Sequence, residues 1–81
     1  MSTTETKSVT LTKMCELHGI ALPRDGEIAK RFSEAFPTAR FDDDAGEWRM
    51  VWKKGGFAES NARLEAFFTE NGIAVSQVDR C

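Results

Sequence analysis

Cys15 and His18 lie three residues apart, a spacing that two metal ligands on one helix can use, and Cys81 offers a third ligand. A structural zinc site takes four, and the chain has no C-x-x-C or H-x-x-x-H pair to complete one, so no metal and no cofactor is expected. Read as nucleophile and base, the same pair lacks an Asn or Asp in obvious support, although covalent catalysis needs a third group to orient the base. With one histidine and no tyrosine, acid–base chemistry falls to carboxylates, His18, lysines and thiols. The chain reads as non-enzymatic.

Three other groupings invite a binding role. Asp42-Asp43-Asp44 with Glu47 resembles an oxygen-ligand loop but lacks the D-x-D-x-D-G pattern and the distal bidentate Glu of an EF-hand. Aspartates suit a hairpin loop, and they also offer negative charge to a basic partner. Lys53-Lys54-Gly55-Gly56 precedes a helix and places amides and ammonium groups where an anion would sit, without matching a P-loop or a dinucleotide fingerprint. It reads first as a linker. Trp48 and Trp52, near Arg49, Lys53 and Lys54, would form a base-stacking platform if exposed, whereas two tryptophans on one face flanking a methionine are the usual material of a small core.

These residues need elements to hold them. Thr12 is placed to cap a short helix through His18, with Leu11, Met14 and Leu17 at helical spacing and Gly19 closing it, after a β-prone run from Ser8 to Leu11. Pro23-Arg24-Asp25-Gly26 reads as a turn with Asp25 as N-cap of a second helix, Glu27 to Phe36, which buries Ile28, Phe32 and Phe36 and stops at Pro37. A hairpin follows, Ala39 to Phe41 and Glu47 to Trp52, with Trp48, Met50 and Trp52 inward and Glu47, Arg49, Val51 and Lys53 outward. A third helix from about Ala58 to Asn71 carries Ala62, Leu64, Phe67 and Phe68, and Ile73 to Val78 forms a last strand. The expected fold is α+β in a single small domain, residues 9–81 behind a polar disordered tail at 1–8. Its order is (β)-α-α-β-β-α-β, with a three- or four-stranded, mainly antiparallel sheet covered by helices.

At 81 residues, 41% apolar and 30% charged, the composition is that of a globular domain with room for one core. No apolar run reaches the roughly 18 residues of a membrane span, and Met1 to Ser8 does not resemble a signal peptide, so a cytoplasmic protein off the membrane is expected. Two cysteines can make one bridge, but Cys15 inside a helix and Cys81 at the last position favour reduced thiols. A net charge of −2 discounts nonspecific binding to a polyanion.

Residues 11–52 resemble the small winged helix-turn-helix modules of phage and mobile-element regulators. That resemblance implies DNA binding, with Arg24, Lys30 and Arg31 as groove or backbone contacts and Lys53 and Lys54 beside them. Against it stand a long turn at Ala21 to Gly26 and an acidic wing tip that repels phosphate. In size, charge and absent chemistry the chain is similar to the protein-binding regulators and inhibitors of mobile elements, of which anti-CRISPR proteins are one class. The partner would then be a protein with a basic or nucleic-acid-binding surface, met by Asp42, Asp43, Asp44, Glu47, Arg49 and Lys53. A homodimer through the edge of the last strand is a third reading.

Overall fold

A computed structural model describes residues 8–80. The chain runs through β1 (Ser8–Met14), β2 (Leu17–Ala21), α1 (Glu27–Ala35), β3 (Arg40–Asp42), β4 (Glu47–Val51), α2 (Phe57–Glu70) and β5 (Ala74–Asp79). The strands form one five-stranded sheet in the order β3-β4-β2-β1-β5, antiparallel except where β5 pairs with β1 in parallel. The α+β class holds; the element order and strand number differ from expectation, and the tail expected to be disordered lies outside the described residues except for Ser8.

The main correction is at residues 12–18, where no helix forms. Leu11, Met14 and Leu17 do recur at helical spacing, but Val9 and Leu11 also alternate with Thr10 and Thr12, and His18 and Ile20 continue that alternation. The alternation prevails, because it lets Val9, Leu11, His18 and Ile20 all face the helices and become buried, while β-branched Val9, Thr10 and Thr12 suit a pleated strand. Met14 pairs with Leu17, so Cys15 and Glu16 form a two-residue turn. Gly19 is a mid-strand residue and not a helix terminus. Without a first helix, the helix-turn-helix threading of residues 11–36 is excluded.

The remaining elements follow their sequence signals closely. The Trp-bearing hairpin forms, with Phe41 opposite Trp48 and Asp42 opposite Glu47. α1 begins after Gly26, whose φ of 124° only glycine adopts readily, and no side chain caps it; Asp25 is therefore not the N-cap. α2 buries Leu64 and Phe68 and half-buries Phe67, while Ala62 faces solvent. Since β4 and β5 both run parallel to β1, α2 carries the chain across β2 and β1 on one side of the sheet, and α1 does the same between β2 and β3.

Both helices cover the face that carries Val9, Leu11, Ile20, Trp48 and Met50. At the centre is Phe32, 0% exposed, whose ring contacts Phe36, Trp48, Phe67 and Phe68 at centroid distances of 5.1 to 5.9 Å. Trp48 settles into this core and satisfies its indole by donating from Nε1 to the Pro23 carbonyl at 3.1 Å.

Two substitutions test this description. A domain of this length holds on the order of 4–12 kcal/mol, and truncating a buried Phe costs about 3–5 kcal/mol, so Phe32→Ala is expected to remove most of the urea-resistant fold measured by circular dichroism. Glu16 is the one non-glycine among the described residues with positive φ, 61°, a conformation that penalises a Cβ but that asparagine tolerates. Glu16→Asn should stabilise by up to about 1 kcal/mol in the same denaturation assay, and a destabilised variant would contradict the turn geometry.

Candidate functional site: the helix-free face of the sheet

The second face of the sheet has no helix on it. Strand alternation places Thr10, Thr12 and Met14 there from β1, Leu17 and Gly19 from β2, Glu47, Arg49 and Val51 from β4, Arg40 and Asp42 from β3, and Ser76 and Val78 from β5. Val51, Leu17 and Met14 are successive cross-strand neighbours and make an apolar row. Val51, 71% exposed, and Val78, 42% exposed, are the exposed large hydrophobic residues of the described chain, and both lie on this face.

Arg49 organises the middle of it. From β4 its guanidinium reaches Asp42 Oδ2 at 3.4 Å and Glu47 Oε1 at 3.3 Å, then extends over β2 to Met14 Sδ on β1 at 3.0 Å. It lies over Gly19, where an added Cβ would come within 2.8 Å of Arg49 Nη1. Glycine at this position makes room for the arginine to lie flat against the strands. Beneath it, Thr12 and Gly19 are buried on a face that would otherwise be open to solvent.

The acidic loop divides into separate roles. Asp42 Oδ1 accepts from the backbone N–H of Asp44 and Ala45 at 3.0 and 3.2 Å, closing the turn that ends at Gly46. The Ala45 N–H foremost, with that of Asp44 and the Arg49 guanidinium, holds the Asp42 carboxyl below its usual range. Asp43 pairs with Arg24 at 3.2 Å, both exposed, an arrangement that exchanges readily with water or a partner. Asp44 points into solvent. Of the six residues expected to meet a partner, Asp42, Glu47 and Arg49 form one network on the helix-free face, Asp43 and Asp44 stand at its rim, and Lys53 is separate, in the β4–α2 loop.

The cationic set is not brought together. Arg24 and Lys30 line a shallow cleft beside Trp48, Arg31 is tied to Glu27 and Asn71, and Lys53 borders a different cleft of about 400 Å³. That second cleft, walled by Phe36, Met50, Trp52 and Arg63 between the end of α1 and the start of α2, was not legible beforehand, because Arg63 and Phe36 meet there only through the fold. Lys53-Lys54-Gly55-Gly56 forms a tight turn, with Gly55 at φ 82° and the Gly56 N–H donating to the Lys53 carbonyl at 2.7 Å.

Cys15 and His18 part company. Cys15 is disulfide-bonded in the exposed β1–β2 turn, which corrects the expectation of reduced thiols; the second cysteine, Cys81, lies outside the described residues. His18, 0% exposed, lies on the opposite face under α2, stacked on Phe57 at 5.2 Å and 6.1 Å from the Trp52 ring. Neither of its ring nitrogens has a hydrogen-bond partner among the described residues, and the same holds for Trp52 Nε1. No cluster of three or more His, Cys, Asp or Glu suited to a metal ion occurs among the described residues, and no helix there is long and apolar enough to cross a membrane.

Burial lowers the His18 pKa below its ordinary value of 6.5, because the imidazolium would lose hydration without gaining a partner. Between the folded and unfolded values the unfolded chain binds a proton that the folded chain does not. Stability should therefore be complete above about pH 6.5 and fall as pH drops below it, by at most about 1.4 kcal/mol per unit. Denaturation midpoints measured between about pH 7 and pH 5 should show this slope, and His18→Leu should flatten it. Comparison with protein-family models, with curated proteins and with solved structures finds no match to this chain, so the reading of its function rests on this geometry.

Proposed function

We propose that the protein is a non-catalytic binding module, a small regulator or inhibitor that engages another protein through the helix-free face of its sheet. The observation that carries the reading is a helix-free face with an apolar row at the β1–β2 turn end, half-buried Met14 and Leu17 beside exposed Val51 with Val78 nearby, and exposed Asp43 and Asp44 at the opposite end of β4. Apolar side chains together with exposed charged ones are the usual material of protein interfaces, and Asp44, with Asp43 whose exposed pair with Arg24 exchanges readily, favours a partner whose matching surface is basic. Arg49, held by Asp42 and Glu47, supplies a fixed charged group beside the apolar row at little further entropic cost. The groups best suited to chemistry serve structure: His18 is sealed under α2, Cys15 is in a disulfide and Asp42 closes a turn.

The test is affinity capture from nuclease-treated extract of the cells that make the protein, using wild type, Asp43→Lys/Asp44→Lys and Val51→Asp. All three positions are exposed, so circular dichroism should be unchanged. The charge reversal is expected to slow capture on the order of tenfold, with the largest effect at low salt, and Val51→Asp to weaken retention by a similar factor. Capture that survives both substitutions would remove this face from consideration. Capture lost on nuclease treatment alone would point to nucleic acid instead.

A further inference from the structure

The two edges of the sheet differ. β3 is three residues long, and the Arg40 guanidinium folds back to the Pro37 and Ala39 carbonyls beside it, so that edge is short and guarded. β5 is six residues long, Ala74-Val75-Ser76-Gln77-Val78-Asp79, with no proline, no lysine and one charge at its end. Its inner side pairs with β1, α2 packs against it, and its outer side pairs with no other strand among the described residues.

The direction of its backbone groups can be read from the ladder. The Arg80 N–H donates to the Lys13 carbonyl at 3.0 Å, and in a parallel ladder alternate residues point their N–H and C=O the same way. Val78 and Ser76 therefore turn inward to β1, and Val75, Gln77 and Asp79 turn outward with both groups unpaired in the sheet. These three are symmetric about Gln77. A second β5 laid antiparallel about a two-fold axis at Gln77 sets Gln77 against its own copy and Val75 against the second copy's Asp79, so that every outward group meets a complementary one. On the helix-free face the same register puts Val78 opposite the second copy's Ser76 and diagonally beside the second copy's Val78, covering an exposed apolar side chain.

We propose that the occupant of this edge is a second copy of the chain, joined β5 to β5 in a closed two-fold dimer with one continuous ten-stranded sheet. What favours a second copy over an unrelated strand is Val78, the exposed apolar residue of this edge, which in the two-fold register meets its own counterpart across the axis. The helix-free faces then lie side by side on one surface, and the proposal stands whether or not that face binds a partner.

Sedimentation velocity of the full chain, from about 1 µM to about 300 µM, should show a concentration-dependent monomer–dimer equilibrium, with no covalent dimer on non-reducing gels. Gln77→Pro removes an outward N–H and spares the β1 ladder, so it should leave the monomer folded by circular dichroism and abolish the dimer. Gln77→Glu places two carboxylates at the two-fold axis beside the Glu65 carboxylates that Gln77 otherwise contacts, and should weaken the dimer at least about tenfold with partial recovery in high salt. If Gln77→Pro fails to fold, Gln77→Glu decides alone. A wild-type chain that stays monomeric throughout the range, or a dimer unchanged by these substitutions, would overturn the proposal.

Discussion

Phe32 is the contact through which the two layers of this protein become one. A helix of nine residues is too short to hold its shape in water by hydrogen bonding alone, and α1 has no side-chain cap at its start. Its stability must come from tertiary burial, and Phe32 supplies it by meeting Trp48 on the sheet and Phe67 and Phe68 on α2 with one ring. Phe36 extends the same cluster to Phe67, and Phe41 backs Trp48 from the neighbouring strand. In a domain with room for only one core, this aromatic interlock sets where both helices lie, and hence which face of the sheet is left uncovered.

The uncovered face is stabilised differently. It lacks enough large apolar residues to exclude water by itself, and it relies on a charged side chain lying flat. Arg49 shields the backbone at Gly19 and the Thr12 side chain while its own charge is balanced by Asp42 and Glu47. Two acidic residues that look in isolation like recognition groups are thereby part of the scaffold, while Asp43 and Asp44 stay exposed at the hairpin tip.

Much of this was legible in the sequence where one periodicity had no rival. The Ile28, Phe32 and Phe36 spacing gave α1, the Trp48 and Met50 alternation gave β4 and its inward face, and the Asp-rich loop ending in Gly46 gave the hairpin. The segment from Leu11 to His18 failed because it satisfies both periods at once, and only the presence of β4 and β5 on either side decides for a strand. The helix-free face was half legible: alternation gave Glu47, Arg49 and Val51 as one outward row, but Leu17, Met14 and Gly19 joined it only once the first helix became a hairpin. The burial of His18 was hidden for the same reason. A histidine at the end of a helix is expected near solvent, whereas one in a central strand beneath α2 is not.

The parallel pairing of β1 with β5 has a consequence in time as well as in space. Ser8 lies opposite Ala74 and Lys13 opposite Asp79, so the first described strand waits for the last described strand before its outer side is paired. Contacts of such long sequence separation are formed late, since the loop must close before the pairing rewards it. The β1–β2 and β3–β4 hairpins can form from residues close in sequence, but the sheet is not complete until β5 returns to β1. Until β5 is in place the exposed edge is that of β1, carrying Val9 and Leu11, and a sheet halted at that stage offers a row of unpaired backbone groups to any other strand.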